Sequence, residues 1–244
     1  MNGFLVPQDW PAPAGVHAAV TTRQSPGFSQ PPYDRCNLGA RCGDDPAHVA
    51  ANREGLIPAL GLPAAPVWLQ QVHGVGVADA DVADREIEAD AAIARARGVV
   101  LAVLTADCLP LLFCADDGSA IGVAHAGWRG LAAGIIEATL GQMPVPASAI
   151  TVWLGPAIAA ASYEVGEEVR AAFITGDATS SAAFETTRPG HWRCDLSALA
   201  RQRLLRAGVH SIHGGGFDTF HDPRFPSYRR TPRCGRFATL IWRS

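Results

Sequence analysis

Cys108 and His125 lie symmetrically about Asp116-Asp117-Gly118, with apolar, partly β-branched runs at Leu109–Ala115 and Ser119–Ala124 between them. Asp-Asp-Gly between two such runs is hairpin-turn chemistry. A turn centred between Asp116 and Asp117 sets Cys108 opposite His125, with Cβ atoms about 4.5–5.5 Å apart. That separation suits two ligands on one metal, where zinc takes sulfur at about 2.3 Å and nitrogen at about 2.0–2.1 Å. It equally suits a thiolate nucleophile beside a general base. His73 follows the run Val67–Val72, precedes Gly74, and is the third candidate ligand. A His/Cys/His set with an open fourth position describes catalytic zinc, whereas structural zinc is closed by four protein ligands. A lone buried cysteine is more commonly a small hydrophobe, so spacing alone leaves metal binding, thiol catalysis and plain packing open. Asp107 either orients a ligand histidine or caps a turn.

A second chemistry is anion binding. His125-Ala126-Gly127-Trp128-Arg129-Gly130 leads into a helical pattern over Gly130–Gln142, and a glycine-loosened backbone at a helix start beside an arginine suits an anion. Trp128 either stacks on a planar ring or packs. Ser227-Tyr228-Arg229-Arg230 and Arg236 add cationic forks, or plain ion pairs. All twenty basic residues are arginine. From Arg188 onward eleven arginines face three acids, a net of +8; before it nine face twenty, a net of −11. Either the two segments neutralise each other, or the basic tail serves an anionic small ligand. Nucleic acid is not expected, since the whole chain is net −3. GxSxG, HExxH, P-loop and GxGxxG motifs are absent, which removes support for serine hydrolase, zincin, NTPase and Rossmann functions. Eight histidines without a His-x-His pair disfavour a multicopper oxidase, whose copper cluster takes about that many as ligands alone.

The elements that must position these residues follow from pattern. The spacing predicts strands over Val16–Thr22, Val67–Val72, Val99–Thr105, Ile150–Leu154 and Phe237–Trp242. Helices are expected after Asp45-Pro46, with Pro58 kinking or ending the first; over Gly130–Gln142; over Glu164–Ile174; and from the Asp195 cap to Gly208. Irregular alternation with a tight hairpin predicts an α/β (α+β) fold with mixed sheets in a single domain over residues 1–244. Of 244 residues 48% are hydrophobic and 18% charged, a globular composition. The first twenty residues have no basic n-region, and Val99–Ala115 is interrupted by Asp107 and Pro110, so neither a leader nor a membrane span is expected. Six cysteines without CxxC spacing are expected as reduced thiols in the cytoplasm.

The motifs Asn37-Leu38-Gly39, Asn52-Arg53, Trp68-Leu69-Gln70-Gln71-Val72-His73-Gly74, Thr105-Ala106-Asp107-Cys108-Leu109-Pro110 and His125-Ala126-Gly127-Trp128-Arg129-Gly130 are similar to those of the YfiH-like family. So are Leu154-Gly155-Pro156-Ala157-Ile158, Tyr163-Glu164-Val165-Gly166, Ser227-Tyr228-Arg229-Arg230 and Gly235-Arg236. The family is also called laccase-domain, polyphenol oxidase or purine nucleoside phosphorylase proteins. The resemblance implies a layered mixed-sheet domain similar to the catalytic domain of cytotoxic necrotizing factor, with Zn2+ held by His73, Cys108 and His125. It implies phosphorolysis of adenosine, inosine, guanosine and methylthioadenosine, and deamination of adenosine. Older labels say copper laccase, and peptidoglycan-precursor amidase editing is attached to a relative. Purine nucleosides and phosphate are the expected partners, to a chain expected as a monomer. In this reading Gln71 or Asp107 orients the ligand histidines, and Arg129, Gly127, Asn37, Arg53, Arg229 and Arg230 serve substrate or anion. Glu164 carries protons in deamination. The rival is a metal-free cysteine hydrolase with Cys108 as nucleophile and His125 as base. The chain departs from the family pattern at Asp218-Thr219, where Cys-Thr is usual; at Ser162, where Cys is common; and at Arg23-Gln24-Ser25-Pro26-Gly27, where paired glycines are usual.

Overall fold

A computed structural model describes residues 3–82 and 86–244. Along the chain run β1 (Phe4–Leu5), β2 (Val16–Thr21), α1 (Pro46–Leu60), β3 (Leu69–Gln70), β4 (Val77–Asp79), β5 (Ile87–Glu88), β6 (Ala91–Ala94) and β7 (Val100–Thr105). Then come β8 (Leu109–Ala115), β9 (Ile121–Ala126), α2 (Trp128–Ala133), α3 (Ile135–Gln142), β10 (Ile150–Leu154), β11 (Glu164–Gly166) and α4 (Glu167–Ile174). The last elements are β12 (Phe184–Arg188), β13 (His191–Cys194), α5 (Leu196–Arg206), β14 (Ser211–Gly214) and β15 (Phe237–Arg243).

Two sheets stack face to face. One has the order β1-β2-β15-β7, the other β14-β10-β8-β9-β6-β4; the second is mixed, with parallel β10–β14 and β4–β6 pairs. The near-continuous apolar sequence of β8 follows from burial on both faces. Its Leu112 and Cys114 pack with Leu101 and Val103 of β7 and Ile241 of β15 between the sheets. Leu109, Leu111 and Phe113 point the other way, onto Leu131, Ile135, Leu199 and Leu204 of α2, α3 and α5. On the outer face of the smaller sheet, Leu56 of α1 covers Ala19, Ala102 and Leu240. The result is a helix–sheet–sheet–helix stack, an α+β domain with mixed sheets.

Several boundaries differ from expectation, each for a local reason. Asp45 caps α1 by accepting from the Ala47 N–H at 2.8 Å, yet the helix runs through Pro58 to Leu60. A proline two residues from the end removes one hydrogen bond in a turn that Gly61, left-handed at φ 61°, already terminates. The helix expected over Gly130–Gln142 starts at Trp128 and breaks at Gly134 (φ 105°) into α2 and α3. The segment expected as one helix from Glu164 opens instead with β11, which pairs with β13, and turns helical only at Glu167. The Val67–Val72 strand contracts to β3 and an isolated bridge from Val67 to Leu101. Asp195 caps α5 as expected, through the Ala198 N–H at 2.8 Å.

The β8–β9 hairpin forms, but its loop is Asp116–Ser119, closed by Ala115 N–H to Ala120 C=O at 2.9 Å. A four-residue loop moves the symmetry centre, so His125 faces Pro110 and not Cys108. Cys108 sits just outside β8, where Ala106-Asp107-Cys108 carries the chain from one sheet (β7) to the other (β8).

Candidate metal centre

Three chain reversals bring the donors together. Asp107 takes φ 90°, a left-handed backbone that few residues other than glycine and Asn/Asp adopt. Its carboxylate is held there by the Thr219 hydroxyl at 2.6 Å and the Arg229 N–H at 2.7 Å. Cys108 thereby emerges at the seam between the sheets. His125 projects from the end of β9. His73 follows β3 at φ 62°. Its loop is fixed by Asp90, whose fully buried carboxylate accepts from the backbone N–H groups of Val72, His73 and Gly74 at 3.1, 3.0 and 2.7 Å. The same carboxylate accepts from His125 Nδ1 at 2.8 Å. One side chain thus places both histidines and presents His125 Nε2 to the site.

The donor atoms of His73, Cys108 and His125 lie within 4.8 Å of one another, with Cys108 Sγ 3.9 Å from His73 Nε2. Gly127 supplies the test of fit. A Cβ there would stand 2.9 Å from His73 Cδ2, 3.0 Å from Cys108 Sγ and 3.6 Å from His125 Nε2. The backbone leaves free a point that three donors face. Burial by itself would raise the Cys108 thiol, but His125 and then His73 pull it down to about 6. For His125 burial opposes the charge, while the Cys108 thiolate and the Asp90 carboxylate favour it. Without a metal this favours a Cys108 thiolate beside a charged His125, which must shed its Nε2 proton to join His73 and Cys108 as a ligand; the trio matches the spacing argument in composition although not in register.

The trio opens on a cavity of about 520 Å3, within the usual range for small-molecule sites. Gln71, Asp107, Arg129, Arg53 and Arg229 of the expected residues line it. Gln71 does not orient a histidine: its amide pairs with Leu104 N–H and C=O, both at 2.8 Å. Asp107 does not either, being committed to Thr219 and Arg229. That role belongs to Asp90. Glu164 lies away from the cavity lining. Its carboxylate accepts from Arg188 at 2.9 Å and Thr187 at 2.8 Å, which hold it down to about 2, so it is not placed to carry protons at the site. Arg230 donates to the carbonyls of Thr219, Phe220 and Phe225, and Asn37 braces the Gly39–Asp44 loop from below. Both are scaffold. Because α2 has six residues, the anion argument at Arg129 rests on its guanidinium, over the Trp128 ring at 4.5 Å, and not on a helix end.

Residues 17–244 match the family described as multi-copper polyphenol oxidoreductase laccase. The chain is 52% identical to a purine nucleoside phosphorylase of Xylella fastidiosa over 98% of its length and 96% of the relative's. It is 48% identical to the purine nucleoside phosphorylase YfiH of Escherichia coli, with 99% of each chain covered. The chain belongs to the YfiH-like, laccase-domain family. Among solved structures of this kind, Neisseria meningitidis protein NMB0706 superposes with a TM-score of 0.95 at 43% identity, covering 99% of both chains.

With the family established, two of the departures from its pattern prove to be one. Ser162 donates to Asp218 at 2.6 Å, and His221 Nδ1 lies 2.9 Å from the same carboxylate. Asp218 also accepts from the Ala159 and Phe220 N–H groups, both at 3.1 Å. A hydrogen-bonded Ser–Asp pair occupies the two positions at which the resemblance implies cysteines, outside the metal trio. Sequence reasoning missed Asp90 and Tyr163. Asp90 sits between Glu88 and the apolar β6 with no periodicity to mark it. Tyr163 lines the cavity beneath Arg229, whose guanidinium lies 5.0 Å from its ring centroid.

Proposed function

We propose that the chain is a zinc-dependent purine nucleoside enzyme that cleaves adenosine, inosine, guanosine or methylthioadenosine with phosphate. The observation that carries this reading is that a His/Cys/His donor set and several arginines share one cavity. The relatives named as purine nucleoside phosphorylases support the same activity. Two imidazoles and a thiolate suit zinc, and two histidines are too few for a multicopper cluster. Bound there, zinc supplies a Lewis acid that stabilises developing negative charge. In phosphorolysis a phosphate oxygen bonds to the anomeric carbon as the bond to the base breaks. The electron pair leaves with the base, which takes up a proton, and the other product is ribose 1-phosphate, or its 5-methylthio counterpart from methylthioadenosine. Arg129 and Arg229 provide fixed positive charge for the phosphate. Trp128 and Tyr163 offer flat rings to a purine. The Tyr163 phenol is pushed above its usual range by burial, then by Cys108, and so stays a hydrogen-bond donor. The trio's thiolate and six free cysteines suit a reducing compartment, the cytoplasm.

Adenosine deamination fits less well, because it calls for a proton-carrying carboxylate beside the metal: of the two that line the cavity, Asp107 has both oxygens engaged and Glu86 faces Arg53. Amide hydrolysis is the second reading that an observation favours, since Cys108, His125 and Asp90 stand in the order of a thiol-hydrolase triad. His73 as a third donor favours the metal. Product analysis of adenosine with and without phosphate separates these. Phosphorolysis yields adenine only when phosphate is present, and both chelation and Cys108→Ala abolish it. Inosine formed with no adenine at any phosphate concentration contradicts phosphorolysis, and activity that survives chelation and is lost on alkylation contradicts the metal.

A further inference from the structure

Eight arginines of this chain form ion pairs with carboxylates among the described residues: Arg23, Arg95, Arg170, Arg188, Arg193, Arg203, Arg206 and Arg224. None of them lines the cavity. The five that do, Arg41, Arg53, Arg129, Arg229 and Arg236, make no ion pair among the described residues. Arg35, Arg97, Arg201, Arg230, Arg233 and Arg243 also lack an ion pair among the described residues but lie outside the cavity, so what distinguishes the five is that their unpaired charges share one concavity. Two carboxylates share the cavity: Asp107, already committed to Thr219 and Arg229 N–H, and Glu86, whose field reaches Arg53.

Three of the five gather at one short stretch of the wall, residues 37–41, from α1, from that loop and from the segment before β15. Arg53 Nε donates to the Leu38 carbonyl at 3.0 Å, its guanidinium 4.4 Å from the Trp68 ring centroid. Arg236 N–H donates to Asn37 Oδ1 at 2.8 Å, and its side chain covers Gly39, where a Cβ would meet Arg236 Cγ at 2.8 Å. Arg41 follows on the same loop, exposed and without a side-chain hydrogen bond among the described residues. Arg129 and Arg229 stand on other elements, over Trp128 and Tyr163. These contacts leave both terminal nitrogens of Arg53 and Arg41, and one of Arg236, free to donate. The Arg53 charge is moreover disfavoured by burial. Unpaired guanidinium groups converging on a concave wall make a focused positive potential that an anion relieves. Phosphorolysis of a neutral nucleoside brings one phosphate, with about −1.5 to −2 charges, and Arg129 and Arg229 match that already.

We propose that Arg41, Arg53 and Arg236 form a second anion subsite, and that the cavity takes a nucleoside carrying its own phosphoryl group. This rests on the nucleoside reading of the cavity. The test is equilibrium binding of adenosine and of adenosine 5′-monophosphate to the metal-loaded protein at low salt, alongside phosphorolysis of both. The monophosphate should bind about tenfold more tightly or better, as charge-assisted hydrogen bonds to a buried anion allow. Arg53→Met should erase most of that advantage. Arg41→Met, at an exposed residue with no side-chain hydrogen bond or ion pair among the described residues, should reduce it, so a folding failure in the first variant leaves the test intact. Equal binding of the two ligands overturns the proposal, as does an advantage unchanged in Arg41→Met and any folded Arg53→Met. If inorganic phosphate binding falls in Arg41→Met while the monophosphate shows no advantage, the patch serves free phosphate and the proposal fails. Absence of the advantage in the unaltered protein, with adenosine phosphorolysis intact, sinks the subsite alone. A strong advantage without phosphorolysis of either ligand supports the subsite and sinks the activity.

Discussion

Replacing Asp90 with asparagine strips four donors of a charged acceptor at once: three backbone N–H groups on the His73 loop and His125 Nδ1. Groups that hold a ligand histidine from behind typically contribute 10–100-fold to metal affinity. Asp90→Asn should therefore weaken zinc binding by about that factor, read by competition with a chromophoric chelator; unchanged affinity removes Asp90 from the account. Gly127→Ala makes a sharper steric test. Gly127 has φ −63°, which alanine adopts freely, so the penalty falls on the trio and not on the backbone. Metal content should drop well below one per chain at nearly unchanged Tm. The thiols offer a pH test. Cys108 is held at about 6, whereas burial pushes Cys36, Cys114 and Cys194 up to about 12. In chelator-stripped protein, iodoacetamide should modify Cys108 rapidly at pH 7 and more slowly as pH falls through 6, where the thiolate is protonated. Peptide mapping should find the other three untouched, and zinc should protect Cys108. At this scale the ligand types were legible from spacing and motif, while Asp90 was not. A buried carboxylate that works through backbone N–H groups leaves no residue pattern of its own.

At the level of elements, local chemistry predicted caps well and interruptions poorly. Asp45 and Asp195 cap their helices where Asx side chains precede apolar periodicity. Gly134 lies inside such a periodic run and breaks it at φ 105°, although Leu131 and Ile135 are spaced as on one continuous helix face and reach the same core. Gly134→Ala forces φ 105° on a residue with a Cβ, with nothing closer than 3.6 Å to the added atom. The expected loss is about 1–2 kcal/mol of stability in urea denaturation, from strain alone; a neutral or stabilising result would show that the break is not required. Glu164 illustrates the converse. Its placement on β11, and not in a helix, turns its side chain to Arg188 and Thr187. Glu164→Gln should accordingly leave turnover within about twofold, since surface ion pairs contribute little. A large loss of kcat would return Glu164 to the site.

Across the whole molecule, the charge asymmetry between the first 187 residues and the basic remainder is neutralised in part within the chain. Arg188, Arg203 and Arg206 pair back to Glu164, Glu137 and Asp177, while Arg229 and Arg236 face the cavity unpaired. Composition could not sort these two groups, because the sorting is done by the concavity where the two sheets meet. The mixed sheets were foreseeable from strand pattern; their face-to-face stacking, with β7 and β8 in different sheets, was not. That stacking creates the seam at which the Ala106–Cys108 crossing, the end of β9 and the Asp90-braced His73 loop converge. Everything proposed for the chemistry depends on that convergence holding one metal ion. Elemental analysis of the purified protein, with Cys108→Ala and His73→Ala beside it, tests this most directly. One zinc per chain, without stoichiometric copper, and near-complete loss in both folded variants is the predicted result. Two or more metals per chain, or full occupancy retained in either variant, would contradict it.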